Sequence, residues 1–138
     1  METKITDSSK YSRCLIRGSK ILLTPEEKVR QALLRAMIEG LGFPKGLVSV
    51  ERGIGVRRTD IVSYTKEMRP LLLIECKACP LKEVAIEQAI GYNEVVGAPF
   101  LCLANESERI TFWFEGGKRE SVSFLPTFEE LYGFCRRF

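Results

Sequence analysis

The sequence predicts an α/β fold, a mixed β-sheet flanked by helices on both faces. Apolar residues recur at spacings of three and four over residues 25–40 and again over 84–96, which is the period of amphipathic helices. Nearly continuous apolar runs of strand length, at 71–77 and 100–104, precede and follow the second helix. Such runs are typical of central strands covered on both faces, and a helix between two of them serves as a crossover within one sheet.

The composition is that of an ordinary globular domain. The 138 residues suffice for one core, so a single domain over 1–138 is expected, with 45% apolar and 28% charged residues. The longest apolar run, 95–104, is about half a bilayer span and contains glycine and proline, so no membrane partner is expected. The start shows no signal-peptide pattern, and an odd number of cysteines, five, is typical of reduced thiols in the cytoplasm.

The chain contains no histidine, which excludes whole classes of chemistry. Ser-His-Asp and Cys-His nucleophilic systems and His-containing zinc or iron sites are ruled out. The net charge of +3 is too small to indicate a nucleic-acid partner by itself. Acid–base or metal chemistry must therefore rest on Asp, Glu, Lys, Tyr or Cys.

The first helix has a clear start signal. Thr24 is the expected N-cap, Pro25 fits the first helical position, and Glu27 would complete a capping box with Thr24. Residues 1–23, which precede it, are polar and mixed in charge and are expected to form a loose arm or an edge element.

The remaining elements follow from alternation, apolar runs and turn residues. The predicted strands are 47–51, 56–64, 71–77, 100–104, 109–114 and 121–125, and the predicted helices are 25–40, 84–96 and 127–138. Short connections join the first three strands as hairpins, and the second helix leads to the fourth strand. The core order is therefore αβββαβ, a mixed sheet.

The central strand ends in Glu75-Cys76-Lys77, an unusual sequence for a buried segment. Because side chains alternate along a strand, Glu75 and Lys77 share one face, about 6.6 Å apart along it, and Cys76 faces the other way. Burying either charge alone is expensive, so an ion pair, a metal or solvent must compensate it. If strands 56–64 and 71–77 form a hairpin, Asp60 lies opposite the end of the central strand and is a second carboxylate.

Two carboxylates and a lysine at the end of a sheet suit phosphodiester hydrolysis. Mg²⁺ takes oxygen ligands, usually one or two carboxylates with water and substrate phosphate. Cys76 and Cys79 have C-x-x-C spacing, but a zinc site needs four ligands and no second pair lies nearby. The pattern therefore favours a carboxylate-bound metal over a thiolate site.

These residues resemble the PD-(D/E)xK nuclease signature, with Asp60 followed by Glu75-Cys76-Lys77 and with Thr59 in place of the proline. The segments TPEEKVRQALL, RRTDIV, PLLLIECKA and EQAIGYNEVVGAPFLCLAN look like the N-terminal nuclease domain of type I restriction enzyme R subunits. The resemblance covers residues 24–115. It implies a restriction-endonuclease-like fold and metal-dependent hydrolysis of DNA.

The resemblance also implies roles for individual residues. Asp60 and Glu75 would ligate Mg²⁺ or Mn²⁺, with the main-chain carbonyl of Cys76 as a further ligand. Lys77 would be the catalytic lysine. Glu27 is similar to the acidic residue that many members of the superfamily place near the metal on the first helix, with Glu26 as the fallback.

The second helix and the basic residues complete the expected site. Gln88 and Tyr92 match the Q-x-x-x-Y motif of RecB-like nucleases, and a spacing of four places both on one helix face. They would steady the lysine or the bound strand, and the resemblance implies that Gln88 is one of the catalytic residues. Arg57 and Arg58 adjoin the expected site and are candidates for phosphate contacts.

Each assignment has a structural alternative. Glu27 could serve only the helix start, Asp60 could pair with a neighbouring arginine, and Glu75 and Lys77 could form a same-face ion pair. At the level of function, the alternative to a nuclease is an inactive nucleic-acid-binding or assembly module, or a purely structural domain. The sequence shows no phosphate-binding loop for a motor, so a partner protein is expected to supply targeting. A homodimer is expected by analogy, because many nucleases cut two strands by dimerising.

Overall fold

The computed structural model describes residues 11–50 and 61–136. These form three α-helices, a short 3₁₀ helix at Lys45–Leu47 and eight strands. The helices are α1 (Pro25–Glu39), α2 (Glu83–Val96) and α3 (Phe128–Cys135). The strands are β1 (Tyr11–Arg13), β2 (Lys20–Leu22), β3 (Val48–Val50), β4 (Ile61–Tyr64), β5 (Pro70–Cys76), β6 (Phe100–Ala104), β7 (Arg109–Glu115) and β8 (Lys118–Val122).

The main sheet has six strands in the order β3-β4-β5-β6-β7-β8. β5 and β6 are parallel because α2 crosses over between them, and the other described pairings in this sheet are antiparallel. The predicted mixed α/β architecture is confirmed. The succession α1-β3-β4-β5-α2-β6 is the expected αβββαβ order, and the whole is compatible with a restriction-endonuclease-like fold.

Helices cover both faces of this sheet. On the face covered by α1 and α3, here the α1 side, Leu34 and Met37 pack with Ile74 and Cys76 of β5. On the opposite face, the α2 side, Ala89 packs with Leu73 of β5 and with neighbouring strands. β5 is buried from Leu71 to Cys76, which explains its continuous apolar sequence.

The predicted capping box of α1 is only half formed. Thr24 accepts a hydrogen bond from the Glu27 backbone N–H at 3.1 Å, but the Glu27 carboxylate bonds to Arg30 and Gln31. A charge-assisted bond to arginine is stronger than a bond to a neutral backbone amide, which accounts for this choice. The full box occurs instead at α3, between Thr127 and Glu130.

Two further segments sharpen or correct the sequence expectations. The last strand begins at Lys118, three residues before the predicted 121, because Gly116 and Gly117 have φ values of 59° and 82° and form a tight two-residue turn. The described part of the N-terminal segment forms the β1–β2 hairpin, a separate two-stranded sheet, and Cys14 between its strands is buried. Across the described residues, no helix is both long enough and apolar enough to span a bilayer.

Candidate active site

The site is centred on the carboxyl end of β5. Glu75 is the next-to-last residue of β5, pairs with Leu103 of β6, and is 2% exposed. Because Leu73 packs on the α2 side and Cys76 on the α1 side, strand alternation places Glu75 on the α2 side. Lys77 comes just after the strand, where its backbone N–H donates to the Ala104 carbonyl at 2.8 Å.

Glu75 and Lys77 form an ion pair at this strand end. The Lys77 Nζ lies 3.6 Å from the Glu75 Oε1, with the lysine side chain 17% exposed and the glutamate side chain 2% exposed. A buried carboxylate is expensive to ionise without compensation, and the ammonium supplies part of it. The pair therefore combines a buried carboxylate with a cation that reaches solvent.

The expected second carboxylate, Asp60, lies outside the described residues, as do Arg57 and Arg58. The described pairing stops one residue short of it, with Ile61 of β4 opposite Ile74 of β5. Asp60 directly precedes Ile61 in the chain, and Glu75 directly follows Ile74. The roles given to Asp60 and the two arginines stay predictions.

Glu27 lies in a buried network on α1. Its Oε2 accepts from Arg30 Nε at 2.8 Å and from Gln31 Nε2 at 2.9 Å, and its Oε1 contacts Arg30 Nη2. Glu27 and Arg30 are 7% and 4% exposed. Direct metal ligation by Glu27 would compete with this bidentate pair, whereas Glu26, the fallback residue, is half-buried.

Sequence reasoning missed the partners of Glu27. Gln31 also accepts from the Leu15 backbone N–H at 3.0 Å, so it joins the N-terminal hairpin to the glutamate. The signal was present in the sequence, because Arg30 and Gln31 follow Glu27 by three and four residues and such residues are neighbours on a helix. The sequence did not show that Glu27 and Arg30 are buried, and it is the burial that strengthens their pairing.

Gln88 and Tyr92 lie on α2, the helix that covers the same face of the sheet as Glu75. Ala85 and Ala89 are buried, and these small residues let the helix approach the strands closely. Gln88 is exposed, and Tyr92 is half-buried against the α2-side core. The roles of Gln88 and Tyr92 stay predictions.

The two cysteines of the C-x-x-C motif have different surroundings. Cys76 is buried and Cys79 is exposed, so the motif is split between the α1-side core and the surface. Within residues 11–50 and 61–136, no group of three or more His, Cys, Asp or Glu side chains could hold a metal ion. The Cys76 main-chain carbonyl remains a predicted ligand between Glu75 and Lys77.

Comparison with known proteins identifies the family. The family model described as the type I restriction enzyme R protein N terminus matches residues 25–128, which run from the start of α1 to the start of α3. No match was found among curated proteins or among solved structures. The matched segment contains Glu27, Asp60, Glu75 and Lys77 and spans well over half of the chain. The chain therefore belongs to the family of type I restriction enzyme R protein N-terminal domains.

Proposed function

We propose that this protein is a divalent-metal-dependent nuclease that hydrolyses phosphodiester bonds in DNA. The observation that carries the proposal is the buried Glu75 carboxylate at the end of β5, with the Lys77 ammonium 3.6 Å away. The family match, to a domain of a restriction enzyme, points to nuclease-related chemistry. A charge pair at the end of a central strand, next to a crossover, is also where open α/β sheets bind ligands.

The donor chemistry suits a hard divalent ion. Mg²⁺ is commonly held by one or two carboxylates, with water and substrate phosphate completing its coordination. Glu75 and Asp60 would hold Mg²⁺ or Mn²⁺, and the Cys76 main-chain carbonyl would add a further oxygen. When bound, the ion would neutralise the phosphate and acidify the attacking water.

Lys77 would act on the substrate from beside Glu75. Its side chain is partly exposed and ends in a compact ammonium, which suits a hydrogen bond to a phosphate oxygen or to the attacking water. The buried Glu75 would keep that ammonium oriented towards the reacting phosphate. Charge stabilisation of this kind at a developing oxyanion is a large contribution in many enzymes.

Residues around the pair would support binding. Gln88 and Tyr92, on α2, would contact the lysine or the bound strand, and Arg57 and Arg58 would contact phosphates. Glu27 would act through its buried network with Arg30, since both of its oxygens already accept hydrogen bonds. A second copy of the chain or a targeting protein would bring the domain to its DNA.

A cleavage assay tests this assignment. Single- and double-stranded DNA are incubated with the wild type in Mg²⁺ or Mn²⁺, beside Glu75→Gln and Lys77→Ala. Each variant is expected to lose at least about a hundredfold in rate, because the first removes a proposed metal ligand and the second removes the ammonium that would stabilise charge at the phosphate.

Surface variants of the same residue types are the matched controls. Glu120→Gln and Lys118→Ala lie on the exposed strand β8 and should cleave like the wild type. Equal cleavage by the wild type and the two site variants would contradict the assignment. Metal-dependent DNA binding without cleavage would instead favour the inactive binding module.

A further inference from the structure

A cleft of about 1000 Å³ opens on the α1 side of the sheet. It lies between the first turns of α1, the β6–β7 turn and the segment that follows β8. Its lining includes Lys28, Ala78, Glu106, Glu108, Arg109 and Phe124. The volume is at the upper end of the roughly 300–1,000 Å³ range of small-ligand sites, enough for more than a single small molecule.

The cleft begins one residue beyond the catalytic lysine. Ala78, which lines it, follows Lys77 in the chain. The side-chain amide of Asn105 donates to the Cys79 carbonyl at 3.0 Å and so fixes the β6–β7 turn to the segment after β5. The Glu75–Lys77 pair and the cleft therefore occupy opposite sides of the same edge, the carboxyl ends of parallel strands β5 and β6.

An exposed aromatic ring stands in this cleft on an anchored backbone. Phe124 is 54% exposed, whereas the next residue, Leu125, is 4% exposed and lies in the core. The Phe124 carbonyl accepts a hydrogen bond of 2.7 Å from the hydroxyl of Thr111, a buried residue of β7. The backbone that bears the ring is thus held in position while the ring itself stays accessible, as in a platform for stacking.

The charges of the cleft favour one orientation of a nucleotide. Lys28 and Arg109 supply two cations for phosphates, while Glu106 and Glu108 lie on the β6–β7 turn and would repel phosphates. Bases would therefore point into the cleft towards Phe124, and the phosphates would follow the cations.

We propose that this cleft binds an unpaired stretch of nucleic acid, with a base stacked on Phe124 and a phosphate at Lys28. The inference rests on the proposed function, because it assigns the cleft to the strand that is cut. The strand would cross the carboxyl end of β5 and β6, with its scissile phosphate at Lys77 and flanking nucleotides beside Phe124. The preferred substrate is thus single-stranded or has an unpaired flank, because bases in a duplex are not available for stacking.

The test is equilibrium binding of a fluorescent single-stranded oligodeoxythymidine in EDTA, where metal-dependent cleavage cannot proceed. Phe124→Ala is expected to weaken binding about tenfold, and Phe124→Tyr is expected to restore it, since one stacked base contributes on this scale. Lys28→Ala is expected to weaken binding. It should also reduce the slope of log affinity against log salt concentration by about one, the change expected for one lost phosphate contact.

Matched variants outside the cleft separate stacking from general effects. Phe114 on β7 is 52% exposed and does not line the cleft, so Phe114→Ala should bind like the wild type. An oligonucleotide with abasic sites should bind wild type and Phe124→Ala equally. Glu106→Gln should tighten binding, whereas Glu120→Gln should not change it. Thermal melting of each variant shows that it is folded.

Several results would overturn the proposal. Unchanged binding by Phe124→Ala would do so, as would an equal loss in Phe114→Ala or an equal loss on the abasic strand.

These outcomes are distinct from failure of the proposed reaction. If wild type cleaves DNA but Phe124→Ala binds normally, the cleft assignment fails alone. If wild type does not cleave but Phe124→Ala binds weakly, the reaction fails and the cleft assignment stands.

Discussion

At the scale of single residues, the site depends on an unequal ion pair. Glu75 is almost completely buried, whereas the Lys77 side chain keeps contact with solvent. When one partner is removed, the charge of the other remains, and the loss of unfolding free energy depends on how well water reaches that remaining charge. The two residues should therefore contribute unequally to stability, whatever their part in catalysis.

Lys77→Ala should destabilise the protein more than Glu75→Gln. The first change removes the cation beside a buried carboxylate and should cost about 1–3 kcal/mol of unfolding free energy. The second keeps the side-chain shape and leaves an ammonium that can turn towards water. Urea denaturation in metal-free buffer measures both changes.

The double variant is the control for this prediction. Glu75→Gln combined with Lys77→Ala should recover most of the stability that Lys77→Ala loses, because no charge remains behind. A larger loss for Glu75→Gln than for Lys77→Ala would contradict the prediction. That result would favour a structural ion pair in which the carboxylate is the stabilising partner.

Thiol reactivity should separate the cysteines by burial. Desolvation in the core raises the pKa of the Cys102 thiol from 9.0 to about 11, while Cys79 is exposed. The thiolate is the reactive form, so Cys79 should react first with a disulfide reagent and Cys102 only after unfolding. Mass spectrometry of timed samples identifies the labelled residue, and Cys79→Ser should remove the fast phase.

Cys102 should also contribute to the pH dependence of stability. The pKa of the Cys102 thiol is higher in the folded than in the unfolded chain. Its contribution to the free energy of unfolding is therefore fully present below about pH 9 and is lost as the pH rises through about 11. In urea denaturation over this range, Cys102→Ala should show a flatter decline than wild type. Equal slopes would contradict the assigned pKa.

At the scale of elements, the N-terminus of α1 connects the helix cap to the buried charges. Thr24 caps the helix through the Glu27 N–H, and the Glu27 carboxylate holds Arg30 and Gln31. Gln31 in turn binds the Leu15 backbone. The geometry of this end therefore depends on a cap whose loss would disturb the Glu27 network.

Thr24→Ala should cost about 1 kcal/mol of unfolding free energy and should also reduce DNA cleavage. Thr127→Ala is the matched control, because Thr127 caps α3 by the same bond to a glutamate N–H, at 3.1 Å, and α3 bears no proposed site residue. It should lose similar stability with little loss of cleavage. If both variants reduced cleavage equally, the N-terminus of α1 would have no special part in the site, and the prediction would be wrong.

At the scale of the whole molecule, the parallel β5–β6 pair organises the site. The crossover through α2 brings the carboxyl ends of both strands to one edge and covers the Glu75 face with the helix that bears Gln88 and Tyr92. The α1 side of the same edge contains the cleft with Phe124. The proposed catalytic pair and the proposed strand-binding cleft can therefore meet at one edge of a small domain.

Metal binding should stabilise the entire fold. A ligand that binds only the folded state raises its stability by mass action, so Mn²⁺ or Mg²⁺ should raise the melting temperature of wild type. The rise should be absent in Glu75→Gln and in an Asp60→Asn variant, and present in Glu120→Gln. A similar rise in all of them would indicate binding elsewhere.

Much of the fold was predictable because its signals are local. The periodicity of α1, the apolar runs of β5 and β6 and the glycine that ends α2 depend only on neighbours in the chain. The β8 boundary was predicted three residues late because residues 118–120 are all charged and give no apolar alternation, although the two-residue glycine turn sets the pairing from Lys118. The half-formed cap of α1 was missed because it depends on burial of Arg30.

The sequence by itself determined the α/β order of elements, the family, and the placement of Glu75 and Lys77 two residues apart at the end of one strand, since spacing and hydrophobic pattern are properties of the chain. Tertiary structure decided how deeply each charge is buried, which partners Glu27 holds, and that Phe124 stands exposed beside the strand end. These features arise from contacts between residues far apart in sequence. Desolvation and packing act through such contacts, and no local pattern encodes them.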